Sequence, residues 1–247
     1  MLGIPDRSHG CLFDLDGVLT QTATVHAAAW REMFDDFLRQ RAERTGEPFV
    51  PFDPGADYDK YVDGKPRADG TRSFLQSRGI DLPEGSDSDQ PGAPTIAGLS
   101  SLKNQMVLRK IADGGVQVYP GSIRYLHAVG EAGLRRALVT SSANAASVLA
   151  AAGIGDQFDV IVDGVVAKRE GLPGKPAPDV YEHAARALGL APADAVVYED
   201  ALAGVAAGKA GHFGFVVGVD RAGQAGALRD AGADIVVRDL AELLDER

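Results

Sequence analysis

The most constraining feature of the sequence is a set of short apolar segments that alternate with helix-like segments through most of the chain. These segments are rich in Val, Ile, Leu and Phe without polar alternation, which is typical of strands buried on both faces of a parallel sheet. The candidate strands are Cys11 to Leu15, Arg136 to Thr140, Val160 to Val162, Ala195 to Tyr198, Gly214 to Val219 and Asp234 to Val237. This order predicts an α/β fold with a doubly wound, Rossmann-like parallel sheet.

The segments between these candidate strands have the composition of helices that cover a sheet. They are Gly121 to Ala132, Ala143 to Ala152, Asp179 to Leu188, Ala203 to Ala210 and Gln224 to Ala231. A glycine follows each of them, and we expect it to take the left-handed conformation that ends many helices. These glycines are Gly133, Gly153, Gly189, Gly211 and Gly232.

The alternation is interrupted between the first and second candidate strands by a long helical insertion. Apolar residues recur every four positions from Thr24 to Arg44, which predicts an amphipathic helix. Two further helices are predicted, at Arg72 to Arg78 and at Leu102 to Ala112. The acidic, turn-rich segment Pro83 to Pro94 lies between them and is expected to be an exposed, mobile loop. We therefore expect an α/β catalytic core of residues 1–22 and 117–247, with a helical cap of residues 23–116.

The composition excludes several classes of partner and site. The chain carries 25 Lys and Arg against 35 Asp and Glu, a formal charge of −10 that argues against nucleic acid binding. No apolar run approaches the roughly 18 residues of a membrane span, and the first residues lack the pattern of a secretory signal. The single cysteine, Cys11, excludes an internal disulfide and a multi-cysteine zinc site. We therefore expect a cytoplasmic enzyme that acts on a small molecule without nucleic acid or membrane partners. We also expect a monomer.

Two acidic pairs follow candidate strands at the edge of the sheet where open α/β folds bind ligands. Asp14 and Asp16 are separated by one residue, so both side chains can face the same crevice as the chain leaves the first strand. Glu199 and Asp200 end a later strand in the same way. Neighbouring carboxylates repel one another, and Mg²⁺ relieves that repulsion because it prefers oxygen ligands. The sequence Asp16-Gly17 is equally typical of a simple turn, so the first pair alone leaves both interpretations open.

Two other segments could supply groups that bind an anion. Thr140, Ser141 and Ser142 lead from a strand into a helix, and such a helix start offers hydroxyl groups and backbone N–H groups. The same serines could simply cap the helix, and capping does not exclude phosphate binding. Lys175 stands in a proline-flanked turn before another helix, where it is either a solvated surface residue or a cation held in place.

Taken in order, these segments resemble the four motifs of the haloacid dehalogenase superfamily. The matching residues are Asp14 and Asp16, Thr140, Lys175, and Glu199 with Asp200. The resemblance covers the whole chain, including a helical cap inserted after the first motif. Each motif is weak by itself, but the ordered set is specific.

Within the superfamily, the chain is similar to the β-phosphoglucomutase group. The similarity includes Thr22, His26 and Trp30 after the first motif, Gly64 and Arg67, Lys103 with Asn104, and Ser142 with Asn144. Two positions depart from the group. Asp63 stands where a lysine often precedes the cap glycine, with Lys65 nearby, and Ala201 stands where a serine often follows the last acidic pair.

The resemblance implies phosphoryl transfer on a sugar phosphate. Asp14 would be the nucleophile that forms an aspartyl phosphate, and Asp16 would be the general acid and base. Mg²⁺ would be held by Asp14, Asp16 through its backbone carbonyl, and Asp200, with Glu199 in support. The implied phosphate-binding residues are Thr140, Ser141 and Lys175. The implied substrate-binding residues are Thr22, His26, Gly64, Arg67, Lys103, Ser142 and Asn144.

The reaction implied by the group converts β-glucose 1-phosphate to glucose 6-phosphate, with glucose 1,6-bisphosphate as intermediate and activator. A sugar-phosphate or phosphoglycolate phosphatase that uses the same first half-reaction is the alternative. A phosphate-accepting receiver module is disfavoured, because its acceptor aspartate lies on a later strand. A silent binding protein would have lost a motif, and all four are present. For Trp30 we favour core packing against Phe34, whereas His26 is either a helix-surface histidine or a site residue.

Overall fold

The computed structural model describes residues 1–244 and contains one sheet of six parallel strands in this part of the chain. The strands are β1 (Gly10–Phe13), β2 (Arg135–Val139), β3 (Val160–Val162), β4 (Ala195–Glu199), β5 (Phe215–Val219) and β6 (Ile235–Val237). Their order in the sheet is β3-β2-β1-β4-β5-β6. The predicted doubly wound α/β fold is therefore confirmed, and each predicted strand is present with ends shifted by two residues at most.

The helices cover the sheet and build the insertion. They are α1 (Thr22–Thr45), α2 (Arg67–Ser77), α3 (Ile96–Gly114), α4 (Pro120–Glu131), α5 (Ala145–Ala152), α6 (Gly164–Glu170), α7 (Asp179–Ala187), α8 (Leu202–Ala210) and α9 (Ala225–Ala231). Short 3₁₀ turns lie at Gly155–Gln157, Pro192–Asp194 and Leu240–Leu243, and a π-helical turn lies at Tyr58–Val62. No helix among residues 1–244 is both long enough and apolar enough to cross a membrane.

Three of these helices differ from the sequence prediction. The helix α6 was not predicted, because its seven residues are too few to show a periodic apolar face; Asp163 caps it by accepting from the Val165 and Val166 N–H groups. The helix α3 begins six residues earlier than predicted, because the Thr95 hydroxyl caps it by accepting from the Gly98 N–H at 2.9 Å. The helix α2 also begins five residues earlier than predicted.

One of the predicted helix-ending glycines is wrong. Gly133, Gly153, Gly189 and Gly232 have positive φ angles, as expected. Gly211 has a φ of −79°, and the next residue, His212, takes the positive φ of 54° instead. Gly211 is needed there for space, since an added Cβ would lie 2.8 Å from the Phe213 ring.

The chain divides into two compact units. One contains Met1–Thr22 together with the chain from Val116 onward, and the other contains Ala23–Gly115. In the first unit, β1 and β4 are buried throughout, because helices cover both faces of the central strands.

An aromatic cluster forms the core of the second unit. Phe34 packs against Trp30, Phe52 and Phe74 with ring centroids 4.2–5.3 Å apart. The stacking of Trp30 on Phe34 confirms that the tryptophan is a core residue. The segment from Pro83 to Pro94 is largely exposed, as predicted.

Candidate active site

The predicted site residues of the first unit follow three adjacent strands at one edge of the sheet. Asp14 follows β1, whose last residue pairs with β2 on one side and with β4 on the other. Thr140 follows β2, and Asp200 follows β4. The Asp14 N–H donates to the Tyr198 carbonyl oxygen at 3.0 Å, so the sheet itself fixes the backbone where the side chain emerges.

Lys175 joins two of the acidic residues through its buried ammonium group. Its Nζ donates to Asp14 Oδ1 at 2.6 Å, to Glu199 Oε1 at 2.5 Å and to the Val139 carbonyl oxygen at 3.0 Å. The side chains of Lys175 and Glu199 are fully buried, and that of Asp14 is 9% exposed. The structure therefore makes Lys175 a buried cation with a fixed position, and the alternative of a solvated surface lysine is excluded.

The charges in this cluster shift one another's protonation. Burial raises the pKa of Asp14 well above its usual range; Lys175 opposes that shift, while Glu199 and Asp16 add to it. Burial alone would lower the pKa of Lys175, but the carboxylates of Asp14 and Glu199 raise it above its ordinary value. The ammonium therefore stays charged, which is the state that can neutralise a carboxylate or a phosphate oxygen.

Tyr181, which sequence reasoning missed, and the backbone of Ala201 hold Glu199 in place. The Tyr181 hydroxyl donates to Glu199 Oε1 at 2.6 Å, and the Ala201 N–H donates to Oε2 at 3.3 Å. The first turn of α8 also packs closely against the Glu199 carboxylate, since a Cβ added to Gly204 would lie 1.8 Å from Oε1.

Carboxylate oxygens of Asp14, Glu199 and Asp200 come within 4.8 Å of one another. One ammonium among these buried acids leaves an excess of negative charge, which a divalent cation would neutralise. The Gly17 backbone closes over this cluster, because an added Cβ would lie 1.6 Å from Asp200 Oδ2. An all-oxygen donor set of this kind suits Mg²⁺, so these residues fit a magnesium site.

Asp16 belongs to the loop that turns back after β1. Its Oδ1 accepts a short hydrogen bond from the Thr22 hydroxyl, which lies 2.7 Å from the Thr20 hydroxyl. The loop is closed by backbone bonds from Gly17 N–H to the Thr20 carbonyl oxygen and from Leu19 N–H to the Leu15 carbonyl oxygen. The motif therefore forms a turn and also orients a carboxylate, so the two interpretations of the sequence are compatible.

The segment after β2 decides one of the alternatives that the sequence left open at the start of α5. Neither Ser141 nor Ser142 caps the helix, because it begins at Ala145 with Asn144 at the N-cap. The Ser142 hydroxyl accepts from the Asn144 N–H at 3.2 Å, and the Thr140 hydroxyl accepts from the Ser142 N–H at 3.1 Å. These bonds build a turn before the helix and leave Thr140 nearly buried beside the site.

The predicted residues of the second unit form two contacts within that unit. Lys103 is buried, its Nζ lies 2.9 Å from His26 Nδ1, and the same ammonium is 4.7 Å from the Trp30 ring centroid. Half-buried His26 is thus bound to another predicted residue rather than to solvent alone.

The second contact joins Arg67 to Asn104. Arg67 Nη1 donates a short hydrogen bond to Asn104 Oδ1, and burial lowers the pKa of Arg67. Gly64, with a φ of 68°, supplies the left-handed turn before α2. Lys65 Nζ donates to the Ser73 hydroxyl at 3.2 Å and to the Lys60 carbonyl oxygen at 3.3 Å, so its ammonium group is held by contacts within the second unit.

Comparison with known proteins assigns this arrangement to a family. The model of the haloacid dehalogenase-like hydrolases matches residues 9–212, and the chain belongs to that family. The matched range contains all the predicted site residues, and the protein is an enzyme.

Two relatives that match over most of both chains are described as beta-phosphoglucomutases. The chain is 56% identical to the beta-phosphoglucomutase of Mycobacterium bovis, over 99% of this chain and 94% of that protein. It is 33% identical to the beta-phosphoglucomutase of Bacillus subtilis, over 94% of this chain and 90% of that protein. Among solved structures, the beta-phosphoglucomutase of Clostridium difficile matches with a TM-score of 0.74 and 26% identity, over 96% of this chain and 93% of that one.

Gly204→Ala should weaken the site by displacing Glu199, and Gly226→Ala provides the matched control. The carboxylate that the new methyl would strike is locked by Lys175 and Tyr181, so we expect the free energy of unfolding to fall by about 1–3 kcal/mol. Gly226 lies in α9 with open space around its Cα, so alanine there should stabilise by up to about 1 kcal/mol. Urea unfolding measures both. Wild-type stability of Gly204→Ala would contradict the assigned packing.

Proposed function

We propose that this enzyme interconverts β-glucose 1-phosphate and glucose 6-phosphate by Mg²⁺-dependent phosphoryl transfer through glucose 1,6-bisphosphate. The observation that carries the proposal is the buried cluster in which one lysine binds Asp14 and Glu199 beside Asp200. The 56% identity to a protein described as a beta-phosphoglucomutase supports the choice of substrate. The phosphatase alternative is less supported, because both relatives quoted above carry the mutase description.

Asp14 is the proposed nucleophile. Its carboxylate attacks phosphorus in line, the bond from phosphorus to the sugar oxygen breaks, and an aspartyl phosphate forms. Lys175 is already hydrogen-bonded to Asp14, so its charge lies where negative charge accumulates on the phosphoryl oxygens. Thr140 and Ser141, which follow β2, are the proposed partners of the oxygens that are not transferred.

Asp16 is the proposed general acid and base. It protonates the sugar oxygen as the bond to phosphorus breaks, and it later removes the proton of the hydroxyl group that attacks the aspartyl phosphate. The Thr22 hydroxyl donates to Asp16 Oδ1 and so orients the carboxylate for both steps. The two acids, one residue apart, therefore have different proposed roles: Asp14 bonds to phosphorus, and Asp16 transfers protons.

Asp14, Asp200 and the backbone carbonyl of Asp16 are the proposed ligands of Mg²⁺. When bound, the ion would neutralise the repulsion between the carboxylates and the phosphate. Glu199 accepts hydrogen bonds at both oxygens from Lys175, Tyr181 and Ala201. We therefore propose that Glu199 supports the site by fixing Lys175.

A mutase must hold a sugar that carries two phosphates. Arg67 and Lys103 are the proposed cations for the phosphate that is not being transferred. Their side chains are kept in place by Asn104 and by His26 with Trp30, respectively. Thr22, Gly64, Ser142 and Asn144 complete the proposed substrate-binding set.

A coupled assay distinguishes the mutase from the phosphatase. Purified enzyme is supplied with β-glucose 1-phosphate and Mg²⁺, with and without a trace of glucose 1,6-bisphosphate, and both glucose 6-phosphate and free phosphate are measured. We expect strong activation by the bisphosphate and little free phosphate, because the phosphoryl group returns to the sugar. Stoichiometric phosphate release without glucose 6-phosphate would instead establish a phosphatase.

Arg67→Ala should separate the two phosphate sites. We expect mutase turnover to fall by about 10²-fold or more. This factor corresponds to about 3 kcal/mol, the free energy that a hydrogen bond to a charged group can contribute. Hydrolysis of an aryl phosphate, which carries a single phosphate, should change far less. Arg72→Ala is the control, because Arg72 pairs with exposed Glu84 and Asp69. Equal losses in both reactions would count against a role for Arg67 in binding a second phosphate.

A further inference from the structure

Arg221 lies just after β5 and binds the loop that follows β1. Its Nε donates to the Gly17 carbonyl oxygen at 2.9 Å, and its Nη2 donates to the Val18 carbonyl oxygen at 3.3 Å. The planar guanidinium thus holds two consecutive carbonyl groups, a geometry that a lysine ammonium cannot reproduce. It also lies over the Tyr119 ring, 3.5 Å from the centroid.

The other side of the same guanidinium is anchored to α4 and to the segment after β6. Nη2 donates to the Ser122 hydroxyl at 3.1 Å, while Nη1 donates to the Arg238 carbonyl oxygen at 2.6 Å and to Asp239 Oδ2 at 3.2 Å. The Arg221 side chain is 16% exposed. Because every nitrogen of the group has a partner, the group cannot shift without losing several hydrogen bonds at once.

The loop that Arg221 holds carries Asp16 and borders Asp200. The backbone of Gly17 is so close to Asp200 that an added Cβ would overlap its carboxylate. Gln224, from the same segment after β5, donates through Nε2 to the Asp200 carbonyl oxygen at 3.1 Å. One segment therefore binds the backbone at both acidic motifs.

We propose that Arg221 is a positioning residue for phosphoryl transfer. It fixes the Gly17 and Val18 carbonyl groups directly after Asp16, and this keeps the Asp16 carboxylate aligned with the oxygen that gains or loses a proton. The inference rests on the proposed function, in which Asp16 is the general acid and base. Arg221 acts through the Gly17 and Val18 carbonyl groups, so its loss should resemble a partial loss of Asp16.

Leaving groups of different acidity distinguish positioning from general structural support. A sugar alkoxide needs a proton from Asp16 in order to leave, whereas p-nitrophenolate leaves without one. In single-turnover rapid-quench experiments, Arg221→Ala should slow phosphoryl transfer from glucose 1,6-bisphosphate about 100-fold, the scale of a misplaced catalytic group. Transfer from p-nitrophenyl phosphate should fall much less. Arg221→Lys should lie between Arg221→Ala and the wild type, and Asp16→Asn provides the reference pattern.

Arg135→Ala is the matched control for loss of an arginine in the same unit. Arg135 is the first residue of β2, at the end of that strand away from Thr140, and its side chain donates to the Leu188 carbonyl oxygen. The Arg135→Ala variant should therefore keep the wild-type ratio of the two rates. Circular dichroism and thermal unfolding verify that each variant is folded. If Arg221→Ala does not fold, the ratio measured for Arg221→Lys decides.

Equal slowing of both substrates in the folded Arg221 variants, or rates equal to the wild type, would overturn the inference. The proposed function would still stand in that case, provided that Asp16→Asn shows the expected selectivity. If Asp16→Asn slows both substrates equally, the acid–base role fails and the inference fails with it.

Discussion

The ammonium group of Lys175 is the interaction on which the rest of the site depends. Asp14 and Glu199 are buried carboxylates, and such groups are tolerated only where a charge and hydrogen bonds compensate for the water they have lost. Lys175 supplies both, and removing one partner from a buried ion pair of this kind costs about 3–5 kcal/mol. The same ammonium keeps a positive charge 2.6 Å from the Asp14 carboxylate, which is the proposed nucleophile. Both the stability of the buried carboxylates and the proposed chemistry therefore require a positive charge at Lys175.

The order of the strands explains how residues far apart in sequence reach this lysine. With β1 between β2 and β4, Asp14 lies centrally, and the segments that carry Thr140 and Asp200 flank it. The β5 strand follows beyond β4, so its C-terminal segment reaches the same edge and brings Arg221 to the loop after β1. The helical insertion begins after the first motif and ends before β2, so it does not interrupt the order of the strands in the sheet.

Much of the fold and the central site could be predicted, for physical reasons. Strands buried on both faces must be apolar throughout, and the acids that follow them interrupt this pattern visibly, as at Asp14 and Asp200. A short helix such as α6 has no such signature. Local side-chain hydrogen bonds could not be predicted either. The Ser142 hydroxyl accepts from the Asn144 N–H before α5 begins, and no sequence spacing indicates that bond. Single residues such as Tyr181 and Arg221 carry no motif, and Arg221 contacts Gly17 across 204 positions of sequence. The roles of the predicted residues stay proposals that the experiments address.

The most direct test of the account is the location of the phosphoryl group during turnover. Enzyme mixed with glucose 1,6-bisphosphate and Mg²⁺ is acid-quenched within one turnover, digested, and mapped by mass spectrometry. The account predicts one phosphoryl group on the peptide that contains Asp14, labile to hydroxylamine as an acyl phosphate is, and absent from the Asp14→Asn variant. A phosphoryl group on another residue would contradict the account. Wild-type turnover without any phosphoenzyme, together with full turnover by the Asp14→Asn variant, would contradict it as well.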